Sequence, residues 1–365
     1  MTIEYMKRAI ELANQGSGFV NPDPLSAALL VRDGRILSEG VYEAFHEENA
    51  EIKVLRMAEG DLTGAELYLN IEPFQTEHKI LEGLELMKEK GISRVVVGMR
   101  DPNPEKKIDF YSELKKRGIA CEFGCRFEEC EEQNEIYSYY IKHKEPFVFV
   151  KWAMTLDGKL ATKTGDSKWI SSEDSLHFVH QLRQRVAAIL VGENTVRMDD
   201  PMLTTRLEGV KISNPLRIIV SRYGDISMNS KVLQIDEVTK TLIIASDRLS
   251  PQKEEELLRK GVRIEKLKLY NDRIDFREMM RVLGRMQIDS LYIEGGSAIL
   301  ASAFECGCVH KVYTAIAPKI IGGKNAFTPV GGEGIEHMRD AIVLKRVSHE
   351  IVGQDVIVKG YLIDP

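Results

Sequence analysis

The chain has 365 residues, of which 43% are hydrophobic and 29% charged, with a formal net charge of −6, the composition of a soluble globular protein long enough for two ordinary domains. Acidic and basic residues are interspersed, with no basic stripe to track a nucleic-acid backbone, so a small-molecule partner is expected and nucleic acid is not. No run reaches the ~18 apolar residues of a membrane span, and the charged, amphipathic opening "MTIEYMKRAIELANQG" lacks the apolar core of a secretory signal. Five cysteines, an odd number, argue against a disulfide framework. A cytoplasmic protein with free thiols is expected.

Taken in chain order, a helix is expected from about Ile3 to Gln15, stopped by Gly16, then strands in "LSAALLV" and "RILSEGVY" joined by an Asp33-Gly34 turn. A helix beginning near Asn49, a strand in "AELYLNI", a helix in "KILEGLELMKEKG" and strands in "ISRVVVGM" and "GIACEFG" complete a three-layer α/β domain. "NEIYSYYIKHKEP", Asn134 to Pro146, reads as a helix running into a connector, which places one domain over residues 1–145 and a second over 146–365. In the second, apolar strands such as "AAILVG", "LRIIVS", "TLIIAS", "VRIEKLKL", "SLYIEGG" and "KVYTAIAP" alternate with helices over Ser172 to Arg185 and Phe276 to Met286. That pattern implies a mainly parallel sheet covered on both faces. Two final strands around Gly353-Gln354 add an antiparallel end, so the sheet is expected to be mixed.

The stretch "FHEENAEIKVLRMAEG", Phe45 to Gly60, has the outline of a metal-hydrolase helix. A zinc deaminase needs one imidazole and two thiolates, plus a glutamate that shuttles protons. Its pattern is His-Ala-Glu opening a helix, then Pro-Cys and a further Cys. Here the first element is Asn49-Ala50-Glu51, Pro73-Phe74 stands where Pro-Cys would fall, and the following Ile80, Leu81 and Gly83 supply no thiol. Amide and phenyl groups are poor zinc ligands, so no zinc is expected. His46, Glu51 and His78 have the wrong spacing for a rebuilt site, and the two histidines are expected in polar surface loops. Cys121, Cys125 and Cys130, like the "CGCVH" stretch from Cys306 to His310, read as packing cysteines.

The strand-turn-helix "LYIEGGSAILASAF" ends an apolar strand in Glu294, Gly295, Gly296 and Ser297. Glycines let a ligand approach the backbone, and a helix N-terminus offers unpaired N–H groups to a phosphate. The same arrangement without a ligand is an ordinary tight turn.

Beyond these features, "GFVNPDPLSAALLVRDGRI", "GAELYLNIEP" and "ISRVVVGMRDPNP" in the first half, and "KWAMTLDGKLATKTGDSKWISS" and "ILVGENTVRMDDPMLTTRL" in the second, resemble the bacterial bifunctional riboflavin-biosynthesis deaminase/reductase family over nearly the whole chain. The resemblance implies a cytidine-deaminase-like three-layer domain followed by a dihydrofolate-reductase-like domain. The first half departs from the family at Asn49 and Phe74, and also at Asp23, Ser26 and Ala27, where Asn, Val and Gly are usual. The implied activity is NADPH-dependent reduction of the ribosyl side chain of 5-amino-6-(5-phosphoribosylamino)uracil, through ring opening to an imine and hydride attack on C1′, without deamination. Alternatives are a bifunctional enzyme with a rearranged metal site, or a reductase of a related pyrimidine or pterin whose N-terminal half is an interaction or regulatory module.

Carried over residue by residue, the resemblance places Ser167, Arg183, Leu203, Arg206 and Glu294 against the substrate. It places Ala153, Trp169, Thr195, Asp199 and the turn of Gly295, Gly296 and Ser297 against the cofactor. Ser221-Arg222, at the end of "LRIIVS", resembles the strand-end pair with which dihydrofolate reductases hold the 2′-phosphate of NADPH. Lys151, at the start of the domain's first strand, is expected to assist proton transfer to the sugar, with Glu294 as the second catalytic group. For each arginine alone, a surface ion pair is the plainer explanation. The family also implies a homodimer or higher homo-oligomer.

Overall fold

A computed structural model describes residues 2–363 of the chain, which form two compact units, one ending at Lys144 and the other beginning at Glu145. In the first unit α1 (Thr2–Ala13) precedes β1 (Ala27–Arg32), β2 (Arg35–Val41), α2 (Ala50–Met57), β3 (Glu66–Ile71) and α3 (Glu77–Glu89). It continues through β4 (Arg94–Met99), α4 (Phe110–Lys116), β5 (Ala120–Phe123), α5 (Phe127–Gln133) and α6 (Glu135–His143). The sheet runs β2-β1-β3-β4-β5, antiparallel around β1 and parallel from β3 onward. Asp33 and Gly34 close the hairpin with φ of 53° and 75°, the left-handed geometry that matches a turn to the twist of its strands.

Alternation along the strands makes the layers, because successive side chains leave opposite faces. Ala28, Leu30, Leu67, Leu69, Val95 and Val97 pack on one face with Val54, Leu84 and Leu114 of α2, α3 and α4. Ala27, Leu29, Tyr68 and Val96 pack on the other with Met6, Cys130 and Tyr137 of α1, α5 and α6. The expected three-layer α/β arrangement is present.

The second unit opens with β6 (Phe147–Thr155), α7 (Glu173–Arg185), β7 (Ala188–Gly192), α8 (Glu193–Asp199), β8 (Leu216–Val220), β9 (Thr241–Ser246) and α9 (Pro251–Leu258). It continues with β10 (Arg263–Leu267), a small hairpin of β11 (Leu269–Tyr270) and β12 (Arg273–Ile274), α10 (Phe276–Arg285), β13 (Ser290–Ile293) and α11 (Ser297–Glu305). It finishes with β14 (Lys311–Ala317), β15 (Lys345–Val352) and β16 (Asp355–Tyr361). The nine-stranded sheet has the order β10-β9-β8-β7-β13-β6-β14-β16-β15. It is parallel except for β16, which is antiparallel to both neighbours. One face packs Val150, Leu190, Ile218, Ile244 and Ile293 against Met279, Leu283 and Leu300 of α10 and α11.

Among the described residues, three helices start on side-chain caps that satisfy N–H groups left without an intrahelical partner, each contributing about 1 kcal/mol. Ser172 accepts from the Ser175 N–H at 3.3 Å and Ser250 from the Lys253 N–H at 3.3 Å, while Asp275 accepts from Arg277 and Glu278 at 2.9 and 3.1 Å.

Four local expectations are corrected. Helix α4 was not anticipated, because it buries only Phe110 and Leu114, too few to show a helical period. The strand expected throughout "VRIEKLKL" stops at Leu267, and the chain turns into β11 after Lys268. His78 lies in the first turn of α3 and not in a loop. Lys151 stands at the centre of β6, not at its start. Among the described residues no helix is long and apolar enough to cross a membrane.

Candidate active site

Strand β13 lies between β6 and β7, so the carboxyl ends of the parallel strands meet around a central strand contributed late in the chain. In open α/β sheets such strand ends form ligand crevices. Here they border a cleft of ≈ 1180 Å³. Of the residues singled out in sequence, Lys151, Ala153, Ser167, Trp169, Thr195 and Asp199 line it. So do Arg222, Glu294, Gly295, Gly296 and Ser297, whereas Arg183, Leu203, Arg206 and Ser221 are outside its lining.

Lys151 is paired in register with Tyr313 of β14 and is 7% exposed. Loss of hydration pushes its amine down to about 8 from an ordinary 10.5, against the pull of the nearby Glu294 carboxylate. Glu294, just past β13, receives both arms of the Arg183 guanidinium at 2.9 and 2.7 Å. Arg183, 7% exposed, also donates to the Thr204 carbonyl at 2.8 Å. This bidentate pair fixes the carboxylate's orientation and joins α7, β13 and the segment after α8. Leu203 is buried beside that segment, and Arg206 is exposed, its backbone N–H donating to His180 Nδ1 at 3.2 Å. Burial, then Arg183 and Arg206, push His180 down to about 4, so its ring is neutral and can accept that bond. Burial also raises the carboxyl of Asp199, on the cleft wall.

The turn after Glu294 fits a diphosphate. Gly295 and Gly296 have φ of 109° and 85°, which side-chain-bearing residues rarely adopt. A Cβ on Gly295 would meet nothing within 4 Å, leaving the backbone open, whereas one on Gly296 would stand 3.3 Å from Ile299 and 3.4 Å from Thr195 Oγ1. No side chain caps α11, so its first N–H groups and positive dipole end remain for an anion. A Cβ at Gly192 would lie 2.9 Å from Ile299, which shows how closely β7 and α11 pack.

At the end of β8 the pair of interest is already engaged. The buried Ser221 hydroxyl donates to the Glu193 carboxylate, and Arg222 is ion-paired with Asp272, between β11 and β12. A phosphate at Arg222 would take the place of Asp272.

Two supporting residues escaped the sequence reading. Asp355 Oδ2 accepts from the Ser172 N–H at 2.7 Å, the Ser172 hydroxyl at 2.9 Å and the Ser175 hydroxyl at 2.6 Å. It thereby ties the start of β16 to the helix carrying His180 and Arg183. Arg217, 1% exposed, donates to Thr241 Oγ1 at 3.0 Å and to the Gln234 and Met202 carbonyls at 2.7 and 3.3 Å, anchoring the chain just before Leu203. Neither contact is marked by local sequence.

In the first unit Asn49 is the N-cap of α2, but its side chain accepts no bond from the N–H groups of the first turn. Its Nδ2 donates to Glu51 Oε1 at 3.0 Å, and its Oδ1 is buried without a hydrogen-bond partner. Glu51 is 2% exposed, and burial raises its carboxyl above the usual 4.5. The Phe74 ring packs edge-on to Tyr42 at 5.4 Å and to Tyr137 at 6.3 Å. A Cβ on Gly83 would lie 3.8 Å from the Glu51 side chain, so the residue beside the acid has no donor to offer. The Asp23 carboxylate is occupied by the Tyr42 hydroxyl at 2.7 Å. Among the described residues no group of three or more His, Cys, Asp or Glu is placed to hold a metal. These residues do not fit a zinc ion.

The fold and the cleft of the second unit have close counterparts among known proteins. Residues 146–358 match the RibD C-terminal domain family. "Riboflavin biosynthesis protein RibD" of Actinobacillus pleuropneumoniae is 39% identical over 364 residues, covering 100% of this chain and 96% of that protein. Its counterpart in Synechocystis sp. is 36% identical, covering 98% and 95%. A crystal structure from Thermotoga maritima, described as a diaminohydroxyphosphoribosylaminopyrimidine deaminase/5-amino-6-(5-phosphoribosylamino)uracil reductase, superposes with a TM-score of 0.83 at 31% identity, covering 99% and 98%.

Proposed function

The chain belongs to the RibD family of riboflavin-biosynthesis proteins, and from that premise we propose that its second unit reduces the ribosyl side chain of 5-amino-6-(5-phosphoribosylamino)uracil with NADPH, while its first unit no longer deaminates. The observation that carries this reading is the contrast of donor sets: the cleft joins an anion-binding turn to a buried lysine and an oriented carboxylate, whereas Asn49, Phe74 and Gly83 offer no metal-binding set.

NADPH held by the Gly295-Gly296-Ser297 turn, Thr195 and Trp169 would supply hydride to the sugar C1′. Lys151, as its ammonium, hydrogen-bonds the oxygen of the opening sugar and delivers a proton to it. Glu294, held by Arg183, accepts hydrogen bonds from substrate hydroxyls and keeps Lys151 charged more readily than burial alone would. Ser167 offers a hydroxyl donor at the rim. Arg222 takes the 2′-phosphate by releasing Asp272.

A paired assay tests the whole reading. With the deaminated uracil substrate, NADPH is expected to be consumed; with the undeaminated precursor, ammonia release is expected to stay at background. Ammonia release at a rate matching reduction would sink the second half of the proposal.

The protein further suits a homodimer. Strand β15 forms the outer edge of the sheet, with Val347 and Ile351 57% and 78% exposed, and an open edge of this kind is suited to pairing with a second copy. Val347→Asp with Ile351→Lys is expected to convert the dimer to a monomer in analytical ultracentrifugation; an unchanged dimer would place the contact elsewhere.

A further inference from the structure

Away from the cleft floor, the end of α11 gathers two thiols. Cys306 is the C-cap of that helix, Gly307 follows with φ of 69°, and Cys308 begins the connection to β14. The Cys306 and Cys308 sulfurs each lie 3.4 Å from one acceptor, the carbonyl oxygen of Ala303. They therefore converge on the same side of the final turn. The neighbouring Cys308 is the first cause that lowers the Cys306 thiol, with burial working against it, and Cys306 is the first cause that strongly raises the Cys308 thiol. Both side chains are partly exposed and free.

The surroundings favour attack by Cys306. Arg277 lies alongside, its Nη2 donating to the Cys306 carbonyl at 2.9 Å, and adds positive potential, while Asp275 opposes it. A thiolate supported by a neighbouring thiol and a guanidinium is the reactive form of cysteine. The other thiols lack such a partnership: Cys130 is fully buried, and burial raises both Cys121 and Cys125. Gly307 leaves the connecting residue free of side-chain obstruction, since a Cβ there would meet nothing within 4 Å.

We propose that Cys306 and Cys308 form a reversible dithiol–disulfide site, closed by a hydroperoxide and reopened by a dithiol reductant. The Cys306 thiolate attacks one peroxide oxygen; an S–O bond forms, the O–O bond breaks, and hydroxide or alkoxide leaves. The Cys308 thiol then attacks the resulting sulfenic sulfur, forming the S–S bond and releasing water. Two electrons pass from the thiol pair to the peroxide, and a dithiol returns them by exchange. The site is independent of the reductase reading, because neither sulfur lines the cleft.

The full-length protein, treated with hydrogen peroxide at near-stoichiometric amounts, is expected to yield a peptide spanning 306–308 that has lost two hydrogens, restored by dithiothreitol. In Cys308→Ser a sulfenic acid trapped by a cyclic dione should accumulate on Cys306; in Cys306→Ser trapping on Cys308 should be at least tenfold slower. Circular dichroism of both variants guards against misfolding. Recovery of both thiols after peroxide, or equal trapping on Cys121 and Cys125, would overturn the proposal.

Discussion

Glu51 in the first unit and Glu294 in the second are both carboxylates drawn inward from solvent, yet their surroundings differ. Glu51 is sealed beside a neutral amide, with its own carboxyl raised by burial. Glu294 is clamped by Arg183, borders an open cleft and lies close enough to Lys151 to affect its ionisation. A retained acid is chemically useful only where a neighbouring group holds it in place and an open face admits a substrate.

Substitutions can break that contrast, and the largest effect is expected at Lys151. Lys151→Met should lower kcat/KM for the reduction by roughly 10²–10⁴, the range of one lost acid–base group. With the ammonium as the proposed working form, wild-type turnover should be full below, and fall through, about pH 8 as the pH rises. A profile flat from pH 7 to about pH 10, or a methionine variant with normal turnover, would remove Lys151 from the chemistry.

Next in size is the Arg183–Glu294 pair. Glu294→Ala leaves the buried Arg183 guanidinium without its carboxylate and should lose about 3–5 kcal/mol of stability in urea titrations, while Arg183→Ala, which leaves a carboxylate open to the cleft, should lose less. Arg183→Met with Glu294→Leu should lose much less than the sum of the two single changes. Additive losses would mean that the pair does not act as a unit.

Arg222→Ala should cut the preference for NADPH over NADH by roughly tenfold, about 1.4 kcal/mol of one charge-assisted contact, while NADH turnover stays constant. An unchanged ratio of the two kcat/KM values would move the 2′-phosphate elsewhere.

The smallest effect sharpens the comparison from the other side. Glu51→Gln should leave reduction unchanged and raise stability at neutral pH. The raised carboxyl means that folding favours the protonated acid, a contribution present below the ordinary value of 4.5 and lost as pH rises through the folded value. The variant's advantage in urea should therefore grow with pH. Lost reductase activity would show that the first unit supports the second.

Much of the architecture was legible where one physical signal dominated. Apolar runs such as Ala188 to Gly192 marked strands buried on both faces, and Asp33-Gly34 marked a hairpin. Helix α4 was not legible, because two buried side chains in seven residues make no period. The Gly295-Gly296 turn and its helix could be read from adjacent residues. The engagement of Arg183 could not: Glu294 lies 111 positions away, and sequence separation carries no sign of a bidentate pair. The same holds for Asp355, whose hydroxyl partners lie 183 and 180 positions away. The change at Asn49 and Phe74 was visible at once, since it depends on which donor atoms are present and on no distance at all.

The insertion of β13 between β6 and β7 also bears on how the protein is made. The strands flanking it end at Thr155 and Gly192, but the strand that joins them begins at Ser290. While roughly a hundred intervening residues are being synthesised, both neighbours carry unsatisfied edges at what will become the centre of the sheet. Such long-range closure slows folding, and the waiting edges are apolar on both faces, which invites association between unfinished chains. The reductase half should therefore depend more heavily than the first unit on chaperone protection during synthesis.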